Sequence, residues 1–141
     1  MIAIDTNILV YAHREELPLH RKARARLVEL AEGLEPWALP VFCIGEFLRV
    51  VTHPKLFDPP STLHQAVQAL GNLLESPSVV LLNPEQSFWP ILAETAKNAD
   101  AKGNILYDAQ IVAVCREHGV REILSEDRDF SRFEGITLHT L

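Results

Sequence analysis

The chain has 141 residues, 48% of them hydrophobic and 23% charged, which is enough for one domain with a real core and too few for two ordinary ones. Nineteen acids against thirteen Lys and Arg give a net charge of −6. That excludes affinity drawn from a broad basic surface, though not a nucleic-acid enzyme, because carboxylates gathered around a cation lower the formal charge while the ion reverses the local sign.

The N-terminal stretch MIAIDTNILVYAH has no basic n-region and carries Asp5. With no apolar run long enough for a bilayer and no secretory signature, no membrane partner is expected and the expected location is cytoplasmic. Residues 2–4 (IAI) read as a short strand, and 8–13 as a short helix. HRKARARLVELAE (20–32) places Ala23, Leu27, Leu30 and Ala31 at helical spacing, with Gly33 as the stop. WAL (37–39) is a strand, and Pro40 opens a helix over 40–53 that Pro54 ends. After the Pro-rich connection 54–60, Ser61 and Thr62 are the N-cap candidates for a helix over 62–75. A strand at 79–83, a helix at 87–99 and a helix at 104–118 with Gly119 as its C′ residue follow. REILS (121–125) and ITLHTL (136–141) are the last two strands. Apolar strands separated by helices predict a single α/β domain over 1–141, with a parallel sheet covered on both faces. Cys43 and Cys115 lie far apart without a CxxC partner and read as small buried hydrophobes.

Four carboxylates stand at comparable places. Asp5 directly follows the first strand and Asp127 lies just beyond REILS, where open parallel sheets bind ligands. Glu46 sits among Phe42, Cys43, Phe47 and Val50, and Asp108 near the start of the helix 104–118. Each also has a plainer role. Asp5 could cap the next helix, Asp108 could favour a helix dipole, and Asp127 could serve a turn. Glu46 is harder to dismiss: amid apolar neighbours it either faces solvent at the helix edge or is buried with a partner, and buried carboxylates are rare unless paired with cations or metal. Together, four acids converging on one cleft would require a cation. Oxygen ligands of this kind select Mg²⁺ or Mn²⁺ over zinc, and such an ion suits phosphodiester hydrolysis. The chain has no GxGxxG, no GxxxxGK[ST], no GxSxG and no HExxH. Within LSEDRDF (124–130), Asp127 is the expected ligand and Glu126 the solvent-facing charge. Asp129 is undecided between capping the turn and supporting the site, and Phe130 anchors the loop in the core.

Three blocks, MIAIDTNILVYAH, IGEFLRVVTHP and GNILYDAQIVAVCREHGVREILSEDRDFSRFEGI, span essentially the whole chain in this order. With them the sequence resembles the PIN-domain ribonucleases, most of all the VapC-like toxins of type II toxin–antitoxin pairs. The resemblance implies a PIN-like three-layer α/β/α sandwich with a central parallel sheet of four to five strands. It implies an endoribonuclease dependent on Mg²⁺, or on Mn²⁺ in its place, that cleaves RNA, forms a homodimer and is neutralised by a cognate antitoxin. Carried over by motif, Asp5 and Asp108 are the principal metal ligands and Glu46 and Asp127 help position metal or its water. Thr6, Asn7 and Ser125 provide polar support, with Asp129 beside them.

Arg49, three residues after Glu46, shares its helix face and is a candidate contact for RNA or antitoxin. Arg21, Lys22 and Arg24 are further candidates, although the solvated face of an amphipathic helix explains them better than an RNA groove. Trp37, Phe57 and Trp89 read as core or dimer packing ahead of base stacking. The alternatives are a PIN-fold RNA-processing nuclease outside a toxin–antitoxin pair and a non-catalytic interaction domain. A phosphorylated receiver-like domain lacks its late strand-end Lys.

Overall fold

A computed structural model describes residues 1–141. Its strands are β1 (Ile2–Ile4), β2 (Trp37–Pro40), β3 (Val79–Leu82), β4 (Glu122–Leu124) and β5 (Thr137–His139). They form one five-stranded sheet in the order β3-β2-β1-β4-β5, parallel throughout. The helices are α1 (Thr6–His13), α2 (His20–Glu32), α3 (Val41–Val51), α4 (Leu63–Leu74), α5 (Phe88–Asn98) and α6 (Ile105–Glu117). Arg128–Arg132 adds a 3₁₀ turn between β4 and β5.

Topology distributes the helices. Parallel crossovers are right-handed, and the path β1 to β2 to β3 steps outward in one direction, so α1 to α4 share one face. The step from β3 back to β4 reverses direction and lays α5 and α6 on the other. The most extensive helix packing, α1 with α2 and α3, α3 with α4, and α5 with α6, agrees with this division, and α3 and α6 also touch, around a pocket that residues of both line. The α/β/α sandwich is therefore present, with five strands. One continuous core includes Ile4, Trp37, Leu39, Phe47, Val112, Ile123 and Phe130.

Local chemistry sets the element ends. Asp5 is extended and its side chain accepts from the Thr6 N–H, so α1 begins at Thr6, two residues before the predicted start. Of the two N-cap candidates for α4, Thr62 takes the role, in a capping box with Gln65. Ser61 is buried instead, and its hydroxyl meets His13 Nε2 at 2.9 Å and Arg14 Nη1 at 3.1 Å. Gly33 ends α2 for a reason other than a left-handed turn. Its φ is −73°, but a Cβ there would lie 2.8 Å from the Glu29 carbonyl oxygen. Gly119 does adopt φ +73° after α6, as a C′ glycine should.

Two helices carry acids toward the end of the sheet where the strands finish. In α3 the stripe Cys43, Phe47 and Val51 is buried, which leaves Glu46 half-buried beside it. α6 buries Ala109 and all of Ile111–Cys115, with Asp108 in its first turn. Both cysteines are free and buried, and burial pushes the Cys115 thiol up to about 12 and the Cys43 thiol well above its ordinary value. No helix is long and apolar enough to cross a membrane.

Candidate metal centre

β1 is the switch point of the sheet, since its neighbours are β2 on one side and β4 on the other. The chain leaves β1 toward one face, whereas the connection into β4 arrives from the other, and a crevice opens at the carboxyl ends between them. Asp5 enters this crevice from the end of β1, Asp127 from the loop after β4, Glu46 from α3 and Asp108 from α6. All four line a single cleft of about 280 Å³, together with Thr6, Asn7, Val10, Tyr11 and Val50.

Asp5 is the most constrained of the four, at 7% exposure. Its Oδ1 accepts from the Thr6 N–H at 2.7 Å and its Oδ2 from the Ser125 hydroxyl at 2.6 Å. The cap and the site are thus the same side chain. A carboxylate has about four lone-pair sites, so two filled ones fix its orientation and leave others for a ligand. Ser125, fully buried, also accepts from Asn7 Nδ2 at 3.0 Å and from the Asp127 N–H at 2.9 Å. One hydroxyl therefore ties the β1 acid to the β4 loop, with one donation and two acceptances. Thr6 Oγ1 donates to Glu46 Oε2 at 3.1 Å, and Asn7 Oδ1 accepts from the Glu126 N–H at 3.4 Å. Thr6, Asn7 and Ser125 all sit where polar support was expected.

Of the two readings for Asp129, the structure gives the cap to another residue and leaves Asp129 beside the acids. The cap of the 3₁₀ turn is Asp127, whose Oδ1 accepts from the Asp129 N–H at 2.9 Å. Asp129 is exposed, and its carboxylate gathers with those of Asp108 and Asp127, ligand atoms all within 4.8 Å of one another. The D-x-D spacing of residues 127 and 129 was the available signal. Glu126 is corrected outright: it is half-buried and its Oε1 accepts from the Leu141 N–H at 2.7 Å, so it braces the chain beyond β5. Phe130 is fully buried and anchors the loop.

Crowding appears in proton affinity. Asp5 is raised to about 6, first by burial, against the opposing hydrogen bonds of Ser125 and Thr6. Asp108 is raised to about 7 by burial and then by Asp127, Asp5, Asp129 and Glu46. The donor set is all carboxylate oxygen and its repulsion is uncompensated by any protein cation, which is the environment a hard divalent cation fits.

The candidate cationic contacts separate. Arg49 lies in a pocket adjoining the cleft, lined also by Glu46. Arg24 lines an apolar groove between α2 and α4, and Lys22 a crevice with Thr140 and Leu141. Arg21 is exposed on α2, and none of Arg21, Lys22 and Arg24 lines the acid cleft. Trp37 is in the core, Phe57 lies under the Arg14 guanidinium at 4.4 Å, and Trp89 is exposed on α5. Arg14 escaped the sequence reading. It binds Ser61 Oγ and the Pro59 carbonyl as well, and so folds the Pro-rich connection onto α1.

The fold and its acidic switch point define a PIN-type α/β protein. The PIN domain family model matches residues 2–136. Ribonuclease VapC43 of Mycobacterium tuberculosis is 38% identical over 133 residues, covering 94% of this chain and 90% of that protein. Ribonuclease VapC48 of the same organism is 38% identical over 137 residues, 95% and 92% of the two chains. Among solved structures, VapC20 of M. tuberculosis, described as a sarcin-ricin loop cleaving toxin, superposes with a TM-score of 0.70 at 19% identity, covering 96% and 98% of the chains. VapBC2 from Rickettsia felis, bound to a promoter DNA fragment, gives 0.71 at 17% identity, covering 100% and 99%. The chain belongs to the PIN-domain family, in its VapC branch.

Proposed function

We propose that the whole chain forms one catalytic domain, a divalent-cation-dependent endoribonuclease, and that it is the toxin of a type II toxin–antitoxin pair. The observation that carries this reading is the convergence of Asp5, Glu46, Asp108 and Asp127, from four separate elements, on one cleft. A non-catalytic domain would have no need of that set. The similarity to VapC ribonucleases over nearly the full chain supports the substrate class.

In this mechanism Asp5 and Asp108 would hold Mg²⁺ or Mn²⁺, and Glu46 and Asp127 would help position the metal or its water, with the Asp129 carboxylate beside them. When bound, the cation lowers the pKa of a water and stabilises charge on the phosphoryl oxygens. The protein's own part is orientation. Ser125 and Thr6 fix Asp5, Thr6 fixes Glu46, and Ser125 sets the backbone that carries Asp127.

The same reading includes a homodimer and a cognate antitoxin. The groove lined by Leu27, Val28, Phe47, Leu70 and Leu73, with Arg24 at its edge, suits the apolar face of a partner helix. Arg24 is better matched to that partner than to RNA.

The test is cleavage of RNA by purified protein with Mg²⁺ or Mn²⁺, abolished by EDTA and by Asp5→Asn at unchanged circular dichroism. Full activity in both Asp5→Asn and Glu46→Gln would remove the site assignment.

A further inference from the structure

Beside the acid cleft, and sharing Glu46 with it, a second pocket opens between α3 and α6. Phe42, Gly45 and Arg49 line it from one face of α3, at helical spacings of three and four. Tyr107, Gln110 and Ile111 line it from the first turns of α6, flanking Asp108. We propose that this pocket binds an unpaired purine base of the RNA next to the scissile phosphate, stacked on Tyr107 and read at its edge by Gln110. The proposal rests on the nuclease reading and adds sequence preference to it.

Four observations converge. First, position: a ligand whose phosphate lies at Asp5, Asp108 and Asp127 reaches this pocket directly, because Glu46 belongs to both walls. Second, an aromatic side chain is left open. Phe42 packs on Phe88, ring centroids 5.7 Å apart, whereas Tyr107 is 66% exposed. Single-stranded bases stack on such rings. Third, the polar groups are uncommitted. The side chains of Arg49, Gln110 and Tyr107 make no hydrogen bond within the protein, and Arg49 forms no ion pair, although Arg14 and Arg26 both do. Fourth, Gly45 leaves the α3 wall low, since a Cβ built there meets nothing within 4 Å.

The chemistry of the readers points to purines. A Gln amide offers a donor and an acceptor that match adenine N7 and N6, and an Arg guanidinium matches guanine N7 and O6. Both pairings use an edge that pyrimidines lack. Arg49 also stands where it can meet the backbone phosphate when it is not reading the base.

Fluorescence anisotropy with short single-stranded RNAs, with Ca²⁺ in place of Mg²⁺ to fill the carboxylate site and with the strands checked as uncut on a gel, tests the proposal without relying on catalysis. Wild type should bind oligo(A) and purine-mixed strands roughly tenfold tighter than oligo(U) or oligo(C), a contrast in the range that edge reading of one base by a bidentate side chain provides. Gln110→Ala and Tyr107→Ala should erase that contrast, and Tyr107→Phe should keep most of it. Arg49→Gln should weaken all strands alike and leave the purine contrast in place, since Gln110 and Tyr107 remain. Melting temperatures within a degree or two of wild type show that each variant is folded. Equal affinity of wild type for purine and pyrimidine strands, or a contrast that survives both Gln110→Ala and Tyr107→Ala, overturns the proposal. Wild type that leaves RNA uncut when supplied with Mg²⁺ or Mn²⁺ would instead overturn the nuclease reading, so the two failures are distinguishable.

Discussion

Ser125 carries more of the site than its size suggests. It is fully buried, donates to Asp5 Oδ2 and accepts from Asn7 Nδ2 and the Asp127 N–H. Ser125→Ala would leave these three groups short of a partner, at roughly 1–3 kcal/mol for a buried orphan. The expected outcome is a melting temperature lowered by several degrees and, in calorimetry, Mn²⁺ affinity weaker by about 10- to 100-fold, as for other groups that orient metal ligands. Unchanged Mn²⁺ affinity would show that Asp5 is held well enough by Thr6 alone. The sequence made the four acids legible by different signals: Asp5 and Asp127 follow strands, Glu46 stands among apolar residues, and the three motif blocks join them with Asp108. It could not show that Asp5 both caps α1 and faces the cleft, because the two roles demand the same residue at the same place. Nor could it separate Glu126 from Asp127, since the direction each side chain takes depends on the turn after β4 and on Leu141.

At the scale of elements, the strands and helices were readable nearly throughout. Their apolar periods are clean and Gly33, Pro54 and Gly119 punctuate them. What the pattern lacked was the clamp that holds them in place. Arg116, at the end of α6, donates from Nη1 to Thr95 Oγ1 at 2.8 Å and from Nη2 to the Glu134 carbonyl. It thereby joins α6 to α5 and to the segment leading into β5, and Thr95 is only 1% exposed. Nothing local in REH at 116–118 announces this, because both partners arrive from elsewhere in the chain. Arg116→Ala should lower stability by about 1–3 kcal/mol, measured by urea denaturation with an unchanged m-value. Arg116→Lys should recover less than half of that, since an ammonium lacks the fork that spans two acceptors. A loss below about 0.5 kcal/mol would mark the clamp as a surface contact.

For the molecule as a whole, the acid cleft sets stability against pH. Asp5 and Asp108 hold protons more tightly folded than unfolded, at about 6 and about 7 against an ordinary 3.8. Well below pH 3.8 both states are protonated and nothing is lost. Between pH 4 and 7 the unfolded chain ionises first, so stability falls as pH rises and the penalty is complete above 7. For buried Asp5 alone this amounts to about 3 kcal/mol, at 1.36 kcal/mol per tenfold change in proton affinity. Metal-free protein should therefore melt lower at pH 8 than at pH 5 through these groups. Mn²⁺ should raise the melting temperature strongly at pH 8 and little at pH 5, where it competes with protons. Asp108→Asn should flatten both trends, and an equal Mn²⁺ effect at the two pH values would contradict the scheme. The bond between Ser125 and Asp5 also closes across 120 residues of sequence, and this has a consequence in time. Synthesis delivers β1 well before the β4 loop. The Asp5 carboxylate therefore has no Ser125 hydroxyl to hold it until the segment through Ser125 and Asp127 has left the ribosome. The cleft is an assembly of chain made early and chain made late, so it forms only when the two have met.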